Sequence, residues 1–359
     1  MTSDNSLPRT MRAAVYVEPG RVEVQEVPVP QIGPGELLVR VEACGICHTD
    51  LKKIVYGLLP PPRIFGHETA GVIAAVGQGV MGLEPGDRVV VFHHIPCREC
   101  FYCRRKLYAQ CPGYKKVGVT AGFEPAGGGF AQYVRVLSWI VPHGVERIPD
   151  GVSFEQASMV EPVNTCHKAV EQLDPQPGDV VLVLGQGPIG LLFTMLVRLR
   201  RATVLAADAM PYRRALSREL GAAECWDPYA TDVAGQVRRR TEGRGADAVI
   251  VAVSAPGIVE QATAASRPGS RILLFSQTSH EEKVVLPGAE ICVAERTVFG
   301  SYSASIDLQK ESARLVFEGV LPVERLISHQ VPLEAINEGI RLALHPDEKS
   351  LKIVVRPQA

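Results

Sequence analysis

Val180-Val181-Leu182-Val183-Leu184-Gly185-Gln186-Gly187-Pro188-Ile189-Gly190 joins an unbroken apolar run to a G-x-G-x-x-G turn. Five apolar residues with no alternation describe a strand buried on both faces, the kind found in parallel sheets. The turn that follows opens a helical pattern, which is the context that gives this otherwise weak motif its meaning. Gly185 permits the tight turn, Gly187 lets backbone approach a pyrophosphate, and Gly190 allows helix and strand to pack closely. Pro188 and Ile189 begin the helix, whose N-terminus receives phosphate charge. Asp208 ends the next apolar run about 20 residues on, where a carboxylate accepts hydrogen bonds from ribose hydroxyls and repels a 2′-phosphate. NAD is therefore expected in preference to NADP. Arg213 and Arg214 lie close enough to temper that preference, although they read equally as a solvated helix face. Other α/β nucleotide binders, methyltransferases among them, carry similar loops.

Outward from this unit, apolar strands and helices alternate. Val180–Leu184, Thr203–Ala207, 248–253 and 271–275 read as strands; 212–220 and Ile258–Ala265 read as helices. That alternation predicts a doubly wound parallel α/β sheet. Before residue 165 the character differs. Short β-rich segments at 12–16, 36–43, 70–76, 88–91 and 130–135 are separated by turns such as Gly33-Pro34-Gly35 and Glu84-Pro85-Gly86-Asp87. They predict an irregular, largely antiparallel β domain. After about Gly300 the alternation ceases, and the tail is expected to pack back onto the first domain.

The 359-residue chain exceeds the usual size of a single core, in keeping with two domains. Its 38 basic and 39 acidic residues leave a formal charge of -1, so nothing favours nucleic acid or an anionic membrane. The first ten residues are polar, unlike a signal peptide, and read as a disordered lead-in. Nine cysteines without a leader point to a reducing, cytoplasmic setting.

Four of those cysteines, Cys97, Cys100, Cys103 and Cys111, form a C-x2-C-x2-C-x7-C run. Four thiolates so close together suit a closed tetrahedral zinc with a structural role, in a lobe spanning about 95–113. A second constellation lies in the same domain: Cys44-Gly45-Ile46-Cys47-His48-Thr49-Asp50, then Gly66-His67-Glu68, then Glu161-Pro162. A thiolate, an imidazole and a carboxylate can build a zinc site with one open position. Taken singly, His67 reads as an ordinary histidine and Glu161 as a helix start at Pro162.

G-H-E, the four-cysteine run, Gly86-Asp87-Arg88-Val89 and the late G-x-G-x-x-G stand in an order that resembles the zinc-dependent medium-chain alcohol dehydrogenase family, nearest its polyol (sorbitol-type) branch. The resemblance spans nearly the whole chain. It implies an α/β protein with a GroES-like irregular β catalytic domain (1–164 and 300–359) and a Rossmann cofactor domain (165–299). It implies two zinc ions per chain, a catalytic one and the structural one, together with NAD. Cys47, rather than Cys44, becomes the catalytic thiolate, because the ligand precedes a pair ending in hydroxyl and aspartate. His67 is the second ligand, and Glu161 the third, directly or through water. Glu68 is the other carboxylate in reach, and Asp50 orients His67.

In that reading zinc acts as a Lewis acid on an alcohol, Thr49 takes its proton, and hydride passes to nicotinamide at the domain cleft. Thr165, Val253 and Tyr302 line the cofactor pocket. Two departures stand out. Lys52 occupies a position where a histidine often continues the relay, and an ordinary lysine, with a pKa of about 10.4, relays protons poorly at neutral pH. Ser301-Tyr302 replaces an Arg-Tyr pair, which argues against sorbitol-type specificity. The implied substrate is a secondary alcohol or polyol, with a sugar, L-threonine or another amino alcohol as the alternative, and the implied assembly is a homodimer or homotetramer. The remote alternative is a nonenzymatic zinc protein that binds nucleic acid through Arg98, Arg104, Arg105, Lys106, Lys115 and Lys116.

Overall fold

The computed structural model describes residues 7–276 and 283–359; residues 1–6 of the expected lead-in lie outside it. The chain divides into two units, Met1–Glu161 with Ser305–Ala359, and Pro162–Ala304.

In the first unit, Thr10–Glu18 and Arg21–Pro28 form an antiparallel ribbon. The main sheet runs in the order Ile327–Pro332, Lys352–Arg356, Leu37–Gly45, Glu68–Val76, Arg88–Val91, Val145–Arg147, with Tyr133–Val136 also paired to Leu37–Gly45. Leu37–Gly45 is paired on both edges, and nearly all of its side chains are apolar and buried, as suits a strand covered on both faces. Its register with the next strand sets Cys44 opposite Thr69 and Gly45 opposite Glu68. On its other edge Val354 pairs with Gly45, so the tail forms part of this sheet. One core runs beneath, including Val39, Phe65, Phe130, Val134 and Ile353.

The expected strand at 130–135 is displaced. The ladder is Tyr133–Val136, whereas Ala14 N–H donates to Phe130 O at 2.8 Å and Ala131 bridges Ala13. That segment changes partner midway, from the ribbon to the main sheet. Sequence patterning also passed over the strands Arg21–Pro28 and Lys352–Arg356 and the helix His48–Tyr56.

The second unit is a six-stranded sheet ordered Glu224–Trp226, Thr203–Ala207, Val180–Leu184, Ala246–Val251, Ser266–Leu274, Thr297–Gly300. Every neighbouring pair is parallel. Numbered within the unit this is the order 3-2-1-4-5-6 of a Rossmann sheet, with Val180–Leu184 at the point where the order reverses. Two strands shift from their expected limits: 248–253 becomes Ala246–Val251, and 271–275 lengthens to Ser266–Leu274.

Candidate catalytic metal centre

Cys47 caps the helix His48–Tyr56 with extended backbone, and its carbonyl accepts from Asp50 N–H at 3.0 Å. The first turn of that helix thereby carries Asp50 inward, where it is wholly buried. His67 sits immediately before the strand Glu68–Val76, and its Nδ1 lies 3.0 Å from Asp50 Oδ1. This contact commits Nδ1 to the carboxylate and leaves Nε2 to face a ligand, as outer carboxylates do for metal-binding histidines. Cys47, His67 and Glu68 bring one donor atom each within 4.8 Å of one another. Glu161, the second residue of the helix Val160–Leu173, is buried, but does not join that trio as a fourth donor at that spacing.

The electrostatics of the pocket favour a cation. Burial pushes the His67 imidazole toward neutrality, yet the Asp50 carboxylate and Cys47 sulfur outweigh it and hold its pKa well above the ordinary value. Burial raises the Asp50 carboxyl, and His67 beside it overrides that effect and keeps its pKa below normal. Burial lifts Glu161 to about 7; the Glu68 charge adds to the lift, while His67 opposes it. Sulfur, imidazole and carboxylate donors that draw positive charge into a buried pocket suit zinc.

Glu68 has a second partner that the sequence did not announce. Lys352 Nζ donates to Glu68 Oε1 at 2.5 Å and to Ile46 O at 3.0 Å. Burial would lower the Lys352 ammonium, but the Glu68 charge reverses the direction and raises it. Gly45 makes room for this pair: a Cβ there would lie 1.8 Å from Glu68 Oε2 and 2.7 Å from Lys352 Cε. Thr49 is half-buried in the first helical turn, and Lys52, partly buried, has its pKa lowered by desolvation. Cys44 is buried at the end of its strand, 3.7 Å from Thr69 Oγ1, and desolvation pushes its thiol up to about 12.

The four-cysteine run is a closed sulfur cluster. Cys97–Cys103, Cys100–Cys103 and Cys111–Cys97 Sγ separations are 3.9, 3.5 and 3.5 Å. A tetrahedron with zinc–sulfur arms of about 2.3 Å has edges of about 3.8 Å, so the spacing fits four thiolates around one ion and is far too long for a disulfide. Three of the lobe's basic residues have identifiable partners. Arg104 donates to Glu99 O at 2.7 Å, the Arg105 guanidinium lies 3.8 Å from the Phe101 ring centre, and Lys106 is 3.9 Å from Asp307.

In the second unit each motif glycine has a distinct reason. Gly185 has φ 90 with Val253 packed over it, Gly187 caps the helix Pro188–Leu199, and a Cβ on Gly190 would lie 1.9 Å from Gly185 O. Asp208 accepts from Gln186 N–H at 2.6 Å and from Met210 N–H at 2.8 Å, which fixes its carboxylate beside the loop. Gln186 is held in turn by Thr194, whose hydroxyl donates to Gln186 Oε1 at 2.9 Å. Burial lowers the Arg213 guanidinium pKa, with Asp208 opposing. Arg214 donates to Asp208 O at 2.9 Å and pairs with Asp227, so it buttresses the turn. Thr165 donates to Pro162 O, and Tyr302 O accepts from Lys168. Among the described residues no helix is long and apolar enough to cross a membrane.

Residues 33–149 match the family model for the alcohol dehydrogenase GroES-like domain, and 188–318 that for zinc-binding dehydrogenase. The chain is 28% identical to the sorbitol dehydrogenase of Bacillus subtilis (strain 168), over 98% of this chain and 99% of that one. It is 32% identical to the L-threonine 3-dehydrogenase of Symbiobacterium thermophilum, over 97% and 98%. The crystal structure of 2R,3R-butanediol dehydrogenase from Bacillus subtilis superposes with a TM-score of 0.84 at 28% identity, covering 97% of this chain and 99% of that one. The matched models, the parallel sheet and the two groups of metal-ligand side chains agree: the chain belongs to the zinc-dependent medium-chain dehydrogenase family, oxidoreductases that act on CH–OH groups.

Proposed function

We propose that this protein oxidises a small secondary alcohol or polyol with NAD at a zinc centre held by Cys47 and His67, with Glu68 or Glu161 as the carboxylate, and reduces the corresponding ketone in reverse. The observation that carries the reading is the Cys47–His67–Glu68 trio, its histidine and carboxylate buried and its thiol partly exposed, with Asp50 on the far nitrogen of His67. When bound, zinc supplies Lewis acidity toward the alcohol oxygen and NAD supplies the hydride acceptor. The chain supplies the rest. Asp50 fixes the ring of His67 and compensates positive charge in the pocket. Thr49, in the first turn of the helix that Cys47 caps, relays the hydroxyl proton, accepting it as its own proton passes on toward the cofactor ribose. Glu161, whose carboxyl burial lifts to about 7, is suited to hold that proton or to complete the donor set. Lys352 pairs with Glu68 beside the Cys47 and His67 donors, so either Glu68 or Glu161 would supply the carboxylate to the ion. Gly185, Gly187, Pro188, Ile189 and Gly190 cradle the pyrophosphate, Asp208 takes the ribose, and Arg213, Thr165, Val253 and Tyr302 complete the cofactor site.

The similarity to sorbitol, butanediol and threonine dehydrogenases supports a substrate with polar groups next to the carbinol. Thr297–Gly300 is the terminal strand of its sheet, and Val285 and Val293 in the segment before it are 70% and 81% exposed. An open edge flanked by apolar side chains supports a homodimer or homotetramer built there. Free cysteines throughout the chain support a cytoplasmic setting. The test is a panel of secondary alcohols, polyols and L-threonine, run with NAD and NADP in parallel. NAD reduction by at least one secondary alcohol is the expected result. No turnover by protein that carries both zinc ions would overturn the proposal, and preference for NADP would overturn the role given to Asp208.

A further inference from the structure

The four-cysteine lobe joins its unit through two stalks, residues 92–96 leading in and 113–118 leading out. The stalks are tied together: Gly118 N–H donates to His93 O at 2.9 Å, and His94 Nδ1 lies 3.4 Å from Lys116 O. A carbonyl only accepts, so that contact places the proton of His94 on Nδ1 and sets the orientation of its ring. Four rings then follow one another from lobe to metal centre. Tyr114 stacks on His94 with centroids 5.0 Å apart, His94 lies 4.0 Å from His93, and His93 lies 4.7 Å from His67. Tyr114 belongs to the small core of the lobe, with Cys103, Ala109 and Cys111. The row therefore begins among the lobe's sulfurs and ends on a residue of the catalytic trio.

His93 is the decisive member. Its ring is partly accessible, while its Nδ1 is buried and, among the described residues, makes no hydrogen bond. Buried polar atoms of this kind are rare, and here no polar contact at that nitrogen anchors the ring. The ring lies between those of His67 and His94, at 4.7 and 4.0 Å, so their packing bears on its orientation.

We propose that Tyr114 is a positioning residue for the alcohol site: through His94 it holds His93 against His67, so that the shape of the zinc lobe sets the wall beside the catalytic centre. The inference rests on the reading of His67 as a catalytic zinc ligand. It gives the lobe a part in substrate binding beyond holding its own segment in shape. Coupling through a packed row becomes a physical claim only when both ends are perturbed, so the test perturbs both.

In zinc-loaded enzyme, Tyr114→Leu is expected to raise the KM for the alcohol about 3- to 10-fold, the scale of one lost aromatic stack. The KM for NAD and the two zinc ions per chain stay unchanged. Tyr114→Phe, which keeps the ring, returns the alcohol KM to within about twofold. In a His93→Leu background the same Tyr114→Leu change adds less than about twofold, because the row is already cut. Should Tyr114→Leu lose the lobe zinc, His94→Leu makes the same cut outside the lobe core.

Histidine 13Cε1 NMR of the zinc-loaded, substrate-free protein gives a readout independent of turnover. Tyr114→Leu is expected to move the His93 and His67 signals along with that of His94. Movement of His94 alone, or an equal rise in alcohol KM in both backgrounds, or a lowered Tm with unchanged KM, would overturn the proposal. If the wild type oxidises no alcohol, the functional reading fails, and the NMR signals still decide whether the row positions His93.

Discussion

Replacing Lys352 with methionine removes the cation that holds Glu68 while keeping most of the side chain's volume. The Lys352 and Glu68 side chains are 7% and 2% exposed, so water cannot take over the role of the ammonium. Stripping one partner from a buried pair costs about 3–5 kcal/mol, because the remaining charge is left uncompensated. Losing both charges to apolar groups of similar size is close to neutral. The single variant is therefore expected to lose about 3–5 kcal/mol, and Glu68→Leu/Lys352→Met no more than about 1–2 kcal/mol.

The two-unit chain calls for a probe confined to the first unit. Trp139 lies there and Trp226 in the second unit, so Trp139 fluorescence in a Trp226→Phe background reports the relevant transition. Urea unfolding should be run on protein carrying only the lobe zinc, verified by metal analysis. Restoring the second zinc should recover part of the loss in the single variant, because Glu68 lies within 4.8 Å of the Cys47 and His67 donors and can turn to the ion. Equal losses in the single and double variants would refute the argument, since the cost would then come from packing and not from stranded charge.

Cys100→Ser takes one corner from the sulfur tetrahedron and should lower bound zinc from two ions per chain to about one, read by metal analysis, with a lower Tm. Asp208→Ala frees the Gln186 and Met210 N–H groups and removes the ribose acceptor. A charged hydrogen bond is worth about 1.5–3 kcal/mol, so the KM for NAD should rise about 10- to 100-fold while that for NADP changes less, read by initial rates. Burial depresses the His94 imidazole to about 4, below its unfolded value near 6.5. Its contribution is present above pH 6.5 and lost as pH falls toward 4, because the unfolded chain takes the proton first. Wild type should then lose up to about 1.4 kcal/mol more per pH unit than His94→Phe between pH 6 and 5, measured by urea unfolding.

What could be read from the sequence followed locality. The strand Val180–Leu184, its three glycines and Asp208 lie within one supersecondary unit whose chemistry is written in consecutive residues, and the sheet is parallel and doubly wound as expected. The cysteines of the lobe lie within fifteen residues, so their convergence follows from spacing. The metal centre is another matter. Residue types marked Cys47, His67 and Glu161 as a possible constellation and only the resemblance assigned their roles, because Cys47, His67 and Glu68 come together through strand register and a helix start and not through spacing. Lys352 gave no signal: it stands in an ordinary apolar tail strand, and only the pairing of Val354 with Gly45 carries it to Glu68. Gly45 looked like part of a Cys-Gly-Ile-Cys string, yet its missing side chain is what admits the ion pair. The row from Tyr114 to His93 was equally silent, since ring stacking across the two stalks has no sequence period. The misplaced strand at 130–135 has a related cause: Phe130 and Tyr133 are both β-formers, and nothing local says that the chain changes partner between them.

The central claim is that a zinc ion held through Cys47 and His67 performs the chemistry, while the four-cysteine zinc does not. Metal content and NAD-linked alcohol oxidation, measured together on wild type and Cys47→Ala, test it most directly. The account predicts two zinc ions per chain in wild type, one in Cys47→Ala, and a loss of turnover of about a thousandfold or more, with the fold retained. A Cys47→Ala protein that keeps both ions, or turns over within tenfold of wild type after losing one, would contradict it.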